Sequence, residues 1–396
     1  MDFYERFVAQ IEKRYPASAR VFDPRANLHK PLICPDTIPL SRNYADQARE
    51  IVSAFWELRQ LAERGRELAS LNPTTPDPGN FSVLMSYDFH VDEKGQLRLI
   101  EINTNASMSL IVDLLHDVHA VPNLFSKNFS EDIVMAFLNE VRLALPDAPE
   151  EIRAVIADES PEKQRMFLEF LFYQELFGNH RIKTEIADSR SLRFEDGRLK
   201  LNENQIHLVY NRDTDFYFEN AEHRALREAM VSRSACITPH PHEYRLLADK
   251  QRLLELSKPG AVQALAISAE AKGVIERTLI HSWDLQDYGD AEKVWNDRKN
   301  LFFKPKRSFG GKAAYRGSAI RRNAFAEIMQ GSYVVQEYVP APSVRLKSMP
   351  EDDGFKFDLR FFAYKDQIQL AAARVWKGQI TNSQTLGGGV AAIEWT

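Results

Sequence analysis

The chain has 396 residues, 44% of them apolar, and a formal net charge of −5 at pH 7. That length and apolar content support a large buried core spread over about two or three domains and exclude a disordered or fibrous chain. Net acidity with only short basic clusters argues against a nucleic-acid partner, and the two cysteines, Cys34 and Cys236, lie too far apart for a disulfide framework or a zinc spacing.

The first residues, Met1-Asp-Phe-Tyr-Glu-Arg6, carry charge at once, unlike a secretory signal. The most apolar helical stretch, 166–177, is interrupted by Glu169 and Glu175 and falls short of a membrane span. A cytoplasmic protein with no membrane partner is the expectation.

In chain order, 43–71 reads as a long amphipathic helix, with Ala48, Ile51, Val52, Phe55, Leu58 and Leu61 at three- and four-residue spacing. The proline-rich run 72–79 ends it. Strands follow at 81–89 and 96–103 across the turn Asp92-Glu-Lys-Gly95, then helices to about 145 and a boundary at Pro146-Asp-Ala-Pro149. Strand 154–157, helix 162–177 and strands 182–186 and 206–210 alternate as a parallel sheet does, with 192–194 and 199–201 flanking a turn. A helix bearing Lys250 leads into a helix-rich stretch to about 300. Strand 302–304 runs into a basic turn, 319–330 is helical, 333–339 is a strand, and 355–364 and 367–375 form a hairpin.

Between Lys304 and Ala326 the charged residues are Lys304, Lys306, Arg307, Lys312, Arg316, Arg321 and Arg322, with no acid among them. A cationic turn containing Gly310-Gly311 on an acidic protein suits a polyanion, because backbone N–H groups reach phosphate where side chains are missing. Lys304 ends an apolar strand, where it fits a phosphate contact or a snorkelling edge lysine, and 308–314 fits a phosphate lid. No Walker A pattern is present.

Upstream, strand periodicity puts Leu97, Leu99, Glu101 and Asn103 on one face. A carboxylate and an amide oxygen at this spacing can share Mg²⁺, although a strand end emerging into solvent carries the same residues. Asp358 and Arg360 share a face, with Arg374 on the hairpin partner and Thr381-Asn382 beyond. This is either a cross-strand ion pair on a solvated surface or a set in which Asp358 and Asn382 help hold metal while Arg360 or Arg374 neutralises a transferred phosphoryl group. Arg212-Asp213 follows a sheet strand, where an arginine clamps a substrate carboxylate or forms a surface ion pair. His240-Pro-His242 and His116-x-x-His119 lack a third ligand nearby and read as solvated or structural.

The order Glu101-Ile-Asn103-Thr104, Arg212-Asp213, Lys250, Lys304-Pro-Lys-Arg-Ser-Phe-Gly-Gly311, Val334-Val-Gln-Glu-Tyr338 and Gly387-Gly-Gly-Val-Ala-Ala392 resembles the ATP-grasp superfamily. More narrowly, it is similar to the permuted branch of eukaryotic-type glutathione synthetases, with glutathionylspermidine synthetase more distant, because the metal pair precedes the lysines. The resemblance spans about residues 80 to 393. It implies an α/β (α+β) class, a permuted ATP-grasp fold with an inserted small parallel-sheet α/β substrate domain. Residues 1–145 would carry helices and the metal motif, 150–240 the substrate domain, and 241–396 the nucleotide-binding region.

It further implies ATP and Mg²⁺ as cofactors. Glu101 and Asn103 would bind Mg²⁺, while Lys250 and Lys304 would contact phosphates and Ser308, Gly310 and Gly311 would belong to the lid. The segment Gln336, Glu337, Tyr338 and Val339 would meet adenine, through the backbone of Glu337 and Val339. Arg212, Asp88 and Ser107 would bind the carboxylate donor, and the backbone of Gly389, Val390 and Ala391 would line the amine acceptor site. Ser308 stands where the family has a metal-binding glutamate, so that Asp358 or Asn382 would substitute. Ser86 replaces a donor-binding arginine, Ser107 and Ser109 are displaced, and Asp215 replaces a tyrosine. The implied reaction joins a small-molecule carboxylate to an amine through an acyl phosphate. Competing readings are a small-molecule kinase on the same scaffold and a nucleotide-binding protein without turnover. A homodimer is left open.

Overall fold

The computed structural model describes residues 2–27, 32–63, 76–306, 313–382 and 385–396. A mixed, seven-stranded sheet forms its centre. The strands run in the order Ile38–Leu40, Gly389–Trp395, Gln367–Lys377, Phe355–Tyr364, Met85–Val91 and Leu97–Asn103, with Ser343–Val344 paired to Phe355–Tyr364 off that path. All its pairings are antiparallel except the outermost, Ile38–Leu40 on Gly389–Trp395.

Two four-stranded sheets flank it. One is parallel, in the order Cys236–Thr238, Leu208–Asn211, Ile152–Asp158, Ile182–Asp188. The other is antiparallel, in the order Ser282–Asp284, Tyr333–Glu337, Leu301–Pro305, Tyr315–Arg316. The parallel sheet arises from the βαβ pattern around the helix Phe167–Asn179. That helix begins later than its apolar pattern suggests. Pro161 opens a short 3₁₀ turn, Pro161–Lys163, and Gln164 is extended at ψ 141°, so the helix restarts at Phe167.

Each face of the central sheet packs on its own core. Phe89, Leu359, Phe361, Ala373 and Ile393 pack with the helix Asn43–Glu63. On the opposite face, Phe362, Leu370 and Ala392 meet the helices Ser109–His119 and Phe129–Ala144, which continue into the parallel sheet. That second face is apolar only over part of its length, and the rest floors a cleft.

The strand Leu97–Asn103 departs from simple alternation. Its pairing with Met85–Val91 slips between Asp88 and Phe89, so that Asp88 faces Glu101 while Phe89 faces Leu99, leaving Ile100 as the extra residue of a bulge. Leu97 and Leu99 therefore share the core face with Ile102, not with Glu101 and Asn103 as the two-residue period predicts. The bulge lets the strand bury three apolar side chains on one side and still turn its acid and amide to the other.

Among the described residues no helix is long and apolar enough to cross a membrane. The histidine pairs are structural rather than solvated. His240 is buried, with Nε2 paired to the carbonyl of Asn80 at 3.0 Å, and burial drives its pKa down to about 3. His116 is buried too, with Nδ1 against the Val121 carbonyl at 3.1 Å.

Candidate active site

The cleft has a volume of about 570 Å³ and draws residues from all three large sheets. Its floor is set by strand register, which pairs Arg360 with Asp88 and Asp358 with Arg374. Arg360 donates from Nε and Nη2 to Asp88 at 2.8 and 2.7 Å, and Arg374 donates likewise to Asp358 at 2.7 and 2.8 Å. Arg374 also lies 3.1 Å from Asp88, and the Thr381 hydroxyl donates to Asp358 at 3.0 Å. The cross-strand ion pair is thus real but buried, since both carboxylates are fully covered. Burial pushes the Asp88 carboxyl up, yet Arg360 and Arg374 together hold it below the ordinary range.

Asp88 lies beneath the cleft rather than in it, which corrects its expected substrate contact. It does orient a neighbour: the Asn103 amide donates to Asp88 at 3.2 Å, so the Asn103 side-chain oxygen turns away from that carboxylate. The Glu101 carboxylate is reached by no hydrogen bond among the described residues, and its charge acts on Lys304 and Arg374.

Lys304, 7% exposed, donates from Nζ to the carbonyl of Ile100, the bulge residue, at 3.0 Å. Burial pushes its pKa down to about 8, with Lys250 and Arg374 adding to the fall and Glu101 opposing it. Lys250 lines the same cleft. It opens the helix Lys250–Leu256, whose first turn Asp249 caps, after a π-turn at Tyr244–Ala248.

Among the described residues no group of three or more His, Cys, Asp or Glu side chains is arranged to hold a metal ion. Glu101 and Asn103, on the strand that Lys304 contacts, and Asn382 line the cleft with carboxylate and amide oxygens, a donor type that suits a hard cation. Asp358 also lines the cleft, but Arg374 and Thr381 occupy its carboxylate.

One wall is the end of the strand Tyr333–Glu337 and the residues after it. Gln336, Glu337, Tyr338 and Val339 all line the cleft. The Glu337 N–H donates to the His281 carbonyl at 2.9 Å and the Tyr338 N–H to the Asn300 carbonyl at 2.8 Å. The Val339 carbonyl accepts from His90 Nδ1 at 2.7 Å, while no backbone bond among the described residues engages the Val339 N–H. The Gln336 amide donates to the Ser282 hydroxyl at 3.1 Å and is buried.

The far end is built by the parallel sheet. Arg212 is 7% exposed and is no surface ion pair; its Nη1 donates to the carbonyls of Asn105 and Ala106 at 2.9 and 3.1 Å, and its Nε is buried without a partner. The loop that holds it is pinned in turn by buried Glu169, which accepts from the Met108 and Leu110 N–H groups at 2.7 and 3.1 Å. Asp213 pairs with His223 at 3.0 Å, and His223 reaches Asp215 at 2.8 Å with its other nitrogen. Asp158, at the end of its strand, lines the cleft beside Arg212. Burial raises its pKa to about 6, with Arg212 opposing the rise.

Ser107, Gly389 and Val390 also line the cleft. Gly389 has φ +118°, and a Cβ there would sit 2.5 Å from the Leu32 carbonyl carbon, so no side chain fits. Ala391, one residue beyond Val390, is fully buried in the core of the opposite face and lies outside the cleft, as alternation from Val390 requires. Ser308, Gly310 and Gly311 fall outside the described residues. Asp158, His90 and Trp376 line the cleft without having been singled out from sequence. Each is a lone residue at a strand end or inside an apolar strand, where no local pattern marks it.

No protein-family model matches the chain, and no curated protein matches it in sequence. Among solved structures it is similar to a glutathione synthetase-like effector from Globodera pallida in its apo form, at 13% identity and a TM-score of 0.55, covering 99% of this chain and 98% of that one. It is also similar to a putative gamma-glutamylcysteine synthetase from Methylobacillus flagellatus KT, at 12% identity and a TM-score of 0.50, covering 85% and 86% of the two chains. At such identities the likeness is one of architecture: the chain shares the overall fold of these two proteins.

Proposed function

We propose that the cleft binds ATP with Mg²⁺ and uses it to join a carboxylate to an amine. The observation that carries this reading is the meeting of Lys304 with the Glu101 strand, 204 residues away at Ile100, in one cleft that also holds Arg212 and the 336–339 segment. Lys304 and Lys250 would hold the phosphates as point charges, and the Glu337 carbonyl and Val339 N–H would meet the adenine edge. Glu101 and Asn103, with Asn382, would hold Mg²⁺. When bound, Mg²⁺ neutralises charge on the phosphate oxygens. Asp358 is better assigned to fixing Arg374 than to metal, because its carboxylate is already taken. Arg360 and Arg374, locked by their carboxylates, would present fixed positive charge to the transferred phosphoryl group without reorganising.

In this reaction a donor carboxylate oxygen attacks the γ-phosphorus and ADP leaves. The amine then attacks the acyl carbon, the C–O bond breaks, phosphate departs and the amine loses a proton. The acyl phosphate must be kept from water, and the segment with Ser308, Gly310 and Gly311 would be the lid. Arg212 would take the donor's carboxylate end. Its neighbour Asp158 adds an acid, which favours a donor that also carries an ammonium group. The shared fold supports the class of reaction, not the substrates.

The test is ADP release with Mg²⁺-ATP across amino acids and γ-glutamyl dipeptides paired with a panel of amines, with hydroxylamine as a trap. A hydroxamate together with ADP supports the ligase. A stable phosphorylated product would instead show a kinase, and no release above background with any pair would show a binding protein without turnover.

A further inference from the structure

His90 ties two separate sheets together at the edge of the cleft. It belongs to the strand Met85–Val91 of the central sheet, yet its Nδ1 lies 2.7 Å from the carbonyl of Val339, 249 residues away, beyond the strand Tyr333–Glu337 of the antiparallel sheet. A carbonyl can only accept, so Nδ1 carries the proton in this contact. The ring packs beside Trp376 with centroids 6.4 Å apart and planes 23° from parallel. The charged groups around it are Asp358, Lys304 and Arg374.

The consequence lies in what is left over at 337–339. The Glu337 and Tyr338 N–H groups are consumed by His281 and Asn300, and the Val339 carbonyl by His90. With those three of the six backbone polar groups taken, the segment keeps the Glu337 and Tyr338 carbonyls as acceptors and the Val339 N–H as its one remaining backbone donor among the described residues. Without that tie the backbone at Val339 could rotate and carry its N–H out of line with the Glu337 carbonyl, so holding the Val339 carbonyl keeps this donor and acceptor side by side. A donor beside an acceptor matches adenine, which accepts at N1 and donates from its amino group. It opposes guanine, which donates at N1 and accepts at O6.

We propose that His90 is a positioning residue for base selection: by holding the Val339 carbonyl it keeps the backbone face complementary to adenine and mismatched to guanine. This rests on the reading of the cleft as a nucleotide site. It assigns His90 no contact with the reacting phosphates.

The experiment is calorimetric binding of Mg²⁺-ATP, Mg²⁺-GTP and Mg²⁺-tripolyphosphate to the wild-type chain, His90→Leu and His90→Asn. Expected is a wild-type preference for ATP over GTP. In His90→Leu, ATP affinity falls about fivefold or more, as expected for loss of one buried hydrogen bond. The ATP-to-GTP ratio shrinks with it, while tripolyphosphate binds as before. The Asn amide can donate from nearly the position of Nδ1, so His90→Asn keeps most of the preference. An unchanged ATP-to-GTP ratio in His90→Leu would overturn the proposal, as would an equal loss of tripolyphosphate, which marks general disruption. If the wild-type chain bound neither ATP nor tripolyphosphate, the nucleotide reading itself would fall, which is a different result from either of these.

Discussion

Raising the pH should loosen nucleotide binding through one side chain, Lys304. Its pKa stands at about 8 because burial disfavours its charge, against an ordinary 10.5. A lysine with that pKa is roughly 90% charged at pH 7 and roughly 10% charged at pH 9. Phosphate recognition by this residue needs the charged form. The apparent Kd for Mg²⁺-ATP should therefore rise about tenfold between pH 7 and pH 9, and binding above pH 8 should take up a proton. Calorimetry in buffers of different ionisation enthalpy reads both quantities, and Lys304→Arg, charged throughout, should flatten the profile.

The same shift has a stability side. The folded chain releases this proton first, so between pH 8 and 10.5 the unfolded chain binds more protons and stability rises with pH. At pH 7 the buried charge costs on the order of 3 kcal/mol, offset by about 1 kcal/mol for its bond to the Ile100 carbonyl. Lys304→Met should thus raise the melting temperature at pH 7 while removing nucleotide binding. A flat Kd from pH 7 to 9, or the same slope in Lys304→Arg, would refute the reasoning.

Glu101→Gln should lower Mg²⁺-dependent ADP release by about a hundredfold or more and lower the melting temperature only modestly, because no hydrogen bond among the described residues depends on that carboxylate but its charge supports buried Lys304 and Arg374; the two are read by initial rates and thermal denaturation. Asp158→Asn should raise the donor KM and abolish its pH dependence near 6, since wild-type donor affinity should improve as the pH rises through about 6 and Asp158 ionises; a pH series of initial rates reads both. His223 has its pKa raised to about 9 by hydrogen bonds to Asp213 and Asp215, so its contribution is full below the ordinary 6.5 and lost as pH rises through 9. His223→Leu should cost about 3–5 kcal/mol by chemical denaturation at pH 6, and less at pH 10.

Much of this site was legible because its local chemistry is unusual. A Glu-x-Asn pair closing an apolar strand, a lysine ending another and an arginine just past a third each stand out, and the βαβ alternation pointed to a parallel sheet. Other parts were illegible for identifiable reasons. The bulge at Ile100 has no glycine or proline to mark it, so simple alternation placed Glu101 and Asn103 on the core side. The strands Ser282–Asp284 and Tyr315–Arg316 are only three and two residues long, too short to show a period. The capture of Asp358 by Arg374 and the tie between His90 and Val339 depend on which distant strands pair, and no local pattern carries that information.

The central claim is most directly tested by a crystal structure with a non-hydrolysable ATP analogue and Mg²⁺. The account predicts density for the base against the Val339 N–H, phosphates between Lys250 and Lys304, and a cation within about 2.1 Å of oxygens from Glu101 and Asn103. Density for the nucleotide elsewhere on the chain, with that cleft unchanged, would contradict it.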